Sequence, residues 1–183
     1  MMITASRWFV LIPHAITGTR VLSAPVLWWF IAALRFEAAF ACLVFAAATD
    51  VLDGPLIRRI GRPSVAGGYF DATADCAVIV AAFAAFASIG VYPAWTVALI
   101  GLVFLVFIVT SRLMPDIYDP VGRNIGGVLF LAIGATLLLS DFFFHIVILS
   151  IVTGALLTTL LARLVHTICS RPGLRARPLS QLE

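Results

Sequence analysis

At 183 residues, with 62% hydrophobic and only 11% charged residues, the chain lies far outside the composition of soluble globular domains, in which about a quarter of residues are charged. A mean hydropathy of +1.11 marks an integral membrane protein. The net charge of +3, carried on basic residues that are all Arg, comes with no nucleic-acid-binding pattern, and Cys42, Cys76 and Cys169 stand singly, which argues against a disulfide framework or a zinc site.

Residues 1–14, MMITASRWFVLIPH, combine Arg7 and Trp8 with a short apolar stretch, the pattern of a helix lying in the membrane interface. The apolar run Trp8 to Ile12 is too short for a signal peptide and ends at Pro13, so this segment is expected to be retained. A first span runs from about Ala15 to Leu34, with Arg20 near one end, Pro25 inside and Trp28 and Trp29 toward the other. Membrane helices tolerate such breakers, because neighbouring groups satisfy the freed backbone.

Arg35 and Glu37 punctuate a turn, and a second span from about Ala38 carries Asp50 and Asp53 before ending at Arg58, Arg59 and Arg62, with Gly61 and Pro63 as breakers. Asp50 lies roughly 20 Å along the helix from Glu37, past mid-membrane. A third span from about Ser64 to Ile89 carries Asp71 and Asp75 near its start. Gly90 and Pro93 turn the chain into a fourth span, about Ala94 to Arg112, followed by the polar connection RLMPDIYDPVGRN. A fifth span, about Val121 to Leu139, a turn at Ser140 and Asp141, and a sixth span, about Phe142 to His166, complete the bundle. The tail RPGLRARPLSQLE is basic and Pro-rich, a composition expected to be mobile. The expected fold is therefore an all-α integral membrane protein with six transmembrane helices in residues 15–168, preceded by an interfacial amphipathic helix in 1–14 and followed by a basic cytoplasmic tail in 169–183.

Arg7, Arg58, Arg59, Arg62, Arg112, Arg123, Arg163, Arg171, Arg175 and Arg177 fall at the termini and the turns after spans two and four, whereas the turns after spans one, three and five hold only Arg35. By the positive-inside rule, both termini and the acid-bearing ends of spans two and three face the cytoplasm. The expected location is a bacterial-type cytoplasmic membrane.

Four of the seven aspartates, Asp50, Asp53, Asp71 and Asp75, fall within 26 otherwise largely apolar residues. Three- and four-residue spacing puts each pair on one face of its helix. Two antiparallel neighbouring helices would then present four carboxylates together, and like charges at close range in a low dielectric repel. Divalent cations resolve the repulsion, since Mg²⁺ and Mn²⁺ take carboxylate oxygens and recruit phosphate for their remaining positions. Gly54, Gly67 and Gly68 leave room for a ligand to approach, and Arg58 offers a fork for phosphate. The pattern reads as metal-assisted phosphoryl transfer. The alternative from another class is an ion-coupled transporter, in which intramembrane acids are also expected.

The window resembles the signature of the CDP-alcohol phosphatidyltransferase family, Asp-x-x-Asp-Gly-x-x-Ala-Arg, eight residues, Gly-x-x-x-Asp-x-x-x-Asp. Asp50, Asp53, Gly54, Arg58, Gly67, Asp71 and Asp75 stand at its positions; Ile57 replaces the usual Ala, and Pro55 is a further departure that deletes a helical N–H. Pro13-His14-x-x-Thr17-x-x-Arg20 with Pro25 is similar to the family's Pro-Asn-x-x-Thr-x-x-Arg opening. Gly122-Arg123 resembles the Gly-Lys that opens the fifth span of phosphatidylglycerophosphate synthases, although Ile125 stands at that pattern's second Lys.

The resemblance implies that Asp50, Asp53, Asp71 and Asp75 hold two divalent ions, Mg²⁺ or Mn²⁺, against the diphosphate of CDP-diacylglycerol. Thr17, Gly54, Arg58, Ser64 and Gly67 would contact that donor lipid. Asp75 would also be the general base toward a small alcohol acceptor, and CMP would leave. Arg112 and Arg123 would grip the acceptor, with glycerol-3-phosphate favoured and inositol, inositol phosphate, serine or another alcohol left open. Family members often form homodimers, for which the sequence marks no interface.

Other residues have plainer readings. Arg59 and Arg62 read as orientation and headgroup residues, and Trp8, Trp28, Trp29 and Trp95 as interface anchors. Asp116, Tyr118 and Asp119 read as a solvated turn, and His145 and His166 as interfacial. Gly126, Gly127, Gly134 and Gly154 read as sites of close helix packing.

Overall fold

The computed structural model describes the backbone of residue 18 and of residues 21–60, 65–113, 120–139 and 141–169, with side chains at 18, 21–48, 72–110, 124–139, 141–165 and 167. Every regular element among them is helical. We number the helices α1, Val21–Ala32, α2, Phe36–Ile60, α3, Val65–Ser88, α4, Trp95–Leu113, α5, Pro120–Leu138, and α6, Phe142–Cys169. The ends of α2 to α6 follow the expected spans within about three residues, whereas α1 covers only the later part of the first span expected over about Ala15 to Leu34. α1 runs unbroken through Pro25 and α2 through Pro55.

Backbone chemistry explains where α1 and α3 stop. At the end of α1 the Arg35 amide donates to the Phe30 carbonyl and the Leu34 amide to the Ile31 carbonyl, each at 2.9 Å, while Leu34 adopts φ +58°. At the end of α3 the Val91 amide donates to Phe86 and the Gly90 amide to Ala87, with φ +78° at Gly90. Both are Schellman caps, in which a left-handed residue lets two amides satisfy the helix's last carbonyls. Glycine takes that conformation at no steric cost, whereas Leu34 carries a penalty of about 1–2 kcal/mol. A Cβ on Gly90 would meet no atom of the described residues within 4 Å. Gly90→Ala should therefore cost only the conformational term, about 1 kcal/mol, seen as a lower thermal midpoint in detergent with activity unchanged.

The other turns close on side chains. Thr96 donates to the Pro93 carbonyl at 2.7 Å at the start of α4. His145 donates from Nε2 to the Leu139 carbonyl at 2.7 Å, tying the first turn of α6 to the end of α5. That bond makes His145 a cap, consistent with its reading as an interfacial residue. Beside it Tyr92 is buried, stacks on Phe83 and meets Phe86 edge-on. Because Thr136 gives its own proton to the Ala132 carbonyl, the 2.6 Å bond between Tyr92 and Thr136 has the phenol as donor. Burial pushes the Tyr92 phenol above its ordinary value.

α5 packs against α2, α3 and α6, and α4 against α3 and α6. The core runs through α3 and α5, with Val78, Ile79, Ala82, Phe83 and Phe86 meeting Leu129 and Ile133, all fully buried. Such burial rigidly seats α3, whose opening turns carry the acids. Gly134 faces α2: a Cβ added there would lie 3.5 Å from the Leu43 side chain, at ordinary van der Waals distance. At Gly126, Gly127 and Gly154 the expected close packing is not seen among the described residues, where an added Cβ would meet nothing within 4 Å.

The outer surface is apolar as well. Phe142 is 76% exposed and Leu131 75%, and Leu22, Leu105, Ile151 and Leu161 are also exposed. An aqueous surface does not carry apolar residues so densely. Among the described residues Phe142–Val165 is long and apolar enough to cross a membrane, and the apolar stretches of the other five helices are shorter. α2 and α3 are 25 and 24 residues long. Trp28, Trp29 and Trp95 are exposed, as anchors would be, and Trp8 lies outside the described residues together with the expected interfacial helix and most of the tail. Cys42 and Cys76 are free and half-buried.

Candidate functional site

The acids stand on two successive helices joined by residues 61–64. Asp50 and Asp53 lie in the second half of α2, and Asp71 and Asp75 in the first half of α3. A four-residue connection holds Ile60 and Val65 at most ~18 Å apart. Asp53 is seven residues from the end of α2 and Asp71 six residues from the start of α3, rises of about 10 and 9 Å. Each acid pair thus begins at a similar rise along its own helix from the connection, and the two helices share α5 as a packing partner. Of the four acid side chains only that of Asp75 is described, and it is half-buried.

Buried Ala74 and Val78 flank Asp75 on α3 and fix its position along the core. The donor set, four carboxylates and no soft ligand among the proposed residues, suits a hard divalent cation.

Gly54 and Arg58 stand in the last two turns of α2, and Gly67 in the first turn of α3. Ser64 and Thr17 lie outside the described residues, as do Asp116, Tyr118 and Asp119. Arg112 is in the last turn of α4 and Arg123 in the first turn of α5, on either side of the connection 114–119. Along the chain the acids thus flank the α2–α3 connection and this Arg pair flanks the α4–α5 connection, and α3 contacts both α4 and α5.

One residue stands out that sequence reading counted only toward membrane orientation. Arg163 is 6% exposed, on the inward stripe of α6 that includes Ile148, Val152, Leu156 and Thr159. Its guanidinium donates to the Thr110 hydroxyl and lies over the Phe107 ring, 4.4 Å from the centroid. A headgroup Arg would extend outward along the lipid, so burial against α4 sets Arg163 apart. The 148, 152, 156, 159, 163 spacing was the available signal, obscured because α6 is apolar on every face.

A 71-residue stretch is 38% identical to the CDP-diacylglycerol–glycerol-3-phosphate 3-phosphatidyltransferase 1, chloroplastic, of Oryza sativa subsp. japonica, covering 39% of this chain and 22% of that protein. The match thus spans about a fifth of the relative's length. No solved structure matches. Residues 10–166, which contain all six helices but the last turn of α6, match the CDP-alcohol phosphatidyltransferase model. With the acid signature on α2 and α3 inside a match of that extent, the chain belongs to the CDP-alcohol phosphatidyltransferase family.

Proposed function

We propose that this protein is a six-span membrane enzyme that transfers a phosphatidyl group from CDP-diacylglycerol to a small alcohol, with release of CMP. The observation that carries the reading is the register of Asp50, Asp53, Asp71 and Asp75 at the joined ends of α2 and α3, inside the family match over residues 10–166. Helix length supports five of the spans: α2 to α6 have 19 to 28 residues, against about 20 needed to cross a hydrocarbon core, and the first span rests on the apolar run of which α1 is the described part. The Arg distribution turns the acid-bearing ends toward the cytoplasm.

The four acids are the proposed ligands of two Mg²⁺ or Mn²⁺ ions, which when bound would neutralise the donor's diphosphate and orient it for in-line attack. Arg58 supplies a fixed fork to the donor phosphates, and Gly54 and Gly67 leave space for the donor beside the helices. Thr17 and Ser64 complete the proposed donor contacts. Asp75 accepts the proton of the acceptor hydroxyl as that oxygen bonds to the lipid-side phosphorus. The bond from that phosphorus to the CMP oxygen breaks, and CMP departs with the electron pair.

Glycerol-3-phosphate is the favoured acceptor. The rice relative is named for that substrate, and Gly122-Arg123 opens α5 in a similar way to phosphatidylglycerophosphate synthases. Arg112 and Arg123 then hold the acceptor phosphate. Replacing either with Ala should raise the acceptor KM about tenfold with the donor KM little changed, and equal changes in both constants would remove that role. Radiolabelled glycerol-3-phosphate supplied with CDP-diacylglycerol should enter the lipid phase. If label stays in water while another alcohol is incorporated, the acceptor assignment is wrong. No observation favours an ion-coupled transporter.

A further inference from the structure

Arg163 is the one charged residue of α6, and its burial needs a reason. Thr110 donates its hydroxyl proton to the Val106 carbonyl at 2.7 Å, which leaves its oxygen to accept from the Arg163 guanidinium. Phe107, one turn earlier on α4, presents its ring face to the same guanidinium. The two contacts use different faculties of one group, an in-plane N–H donor and a flat cationic face, so together they fix α4 in rotation as well as in distance. Both contacts fall in the last two turns of α4, which ends at Leu113. Arg112 lies two residues beyond Thr110, and the chain leaves from there toward Arg123 on α5.

We infer that Arg163 is a positioning residue: it bolts α6 to the cytoplasmic end of α4 and thereby sets the turn that carries Arg112 and launches the α4–α5 connection. The inference rests on the proposed acceptor role of Arg112 and Arg123. Arg163 acts through α4, and loosening the bolt weakens acceptor binding without touching the donor site at the α2–α3 junction.

The test uses three variants of the full chain in detergent, each removing one part of the contact. R163K keeps the charge but loses the planar fork, T110V removes the accepting hydroxyl at nearly constant shape, and F107L removes the ring face. Acceptor KM should rise about tenfold in R163K and several-fold in T110V and F107L, with donor KM within about twofold of wild type. The R163K/T110V double variant should be no worse than R163K alone, because both break one contact. Backbone amide exchange over residues 107–113 should quicken in all three, a readout independent of turnover.

A rise in acceptor KM confined to R163K, with T110V and F107L like wild type and exchange unaltered, would mean that the guanidinium acts on a ligand directly and would overturn the inference. Equal losses toward donor and acceptor would also overturn it, by reducing the bolt to general stability. Should the wild type release no CMP with any acceptor, the proposed function fails on its own account. The exchange measurement still judges the bolt, and unaltered exchange would sink it.

Discussion

Asp75→Asn should abolish CMP release, by at least about 10³-fold, in a protein that still elutes as a single species and unfolds cooperatively. A general base contributes about 10²–10⁴ in rate, and the Asn amide can neither accept the proton nor serve as an anionic ligand. Stability should move the opposite way. In the absence of metal, removing one of four clustered like charges relieves repulsion, so the thermal midpoint without metal should equal or exceed that of wild type. Functional residues held against local stability give this divergence, whereas a purely structural acid would lose both together. Turnover close to wild type in Asp75→Asn would eliminate the base assignment.

Metal removal should have an effect of similar size. Thorough chelation should silence the enzyme, and Mg²⁺ or Mn²⁺ should restore it, because four carboxylates at one helix junction have no other way to face a diphosphate. Binding to the folded state alone also stabilises by mass action, about 2.7 kcal/mol at a metal concentration of 100 times Kd. The midpoint should therefore climb with added metal in wild type and climb less in Asp50→Asn or Asp71→Asn. Turnover that survives chelation, or a midpoint indifferent to metal, would contradict the two-ion site.

Much of the fold was legible because membrane helices and their breakers leave strong marks. Gly90 and Pro93 announced the α3–α4 turn, and glycine is what the left-handed cap there requires. Leu34 takes the same conformation at the end of α1 without any such mark. Its cap depends on two backbone bonds that no side-chain pattern records. The acid signature was legible because its chemistry demands fixed residue types at fixed helical spacing.

What stayed hidden was the direction in which helices face. Gly134 faces α2 while Gly126, Gly127 and Gly154 meet no neighbour among the described residues, and a glycine in a helix that is apolar all round carries no sign of what it faces. Arg163 was hidden for the same reason. In a soluble helix its place on the buried stripe would have been conspicuous, but lipid-facing and core-facing residues of α6 are equally apolar. Burial of its charge against Phe107 and Thr110 is tertiary information.

The most direct measurement is CMP release by purified protein supplied with CDP-diacylglycerol and Mg²⁺ or Mn²⁺, with glycerol-3-phosphate, inositol, inositol phosphate and serine each presented alone. Release should depend on both metal and acceptor and be fastest with glycerol-3-phosphate. No release with any acceptor, from protein that fails to bind the CDP-lipid, would contradict the proposed function.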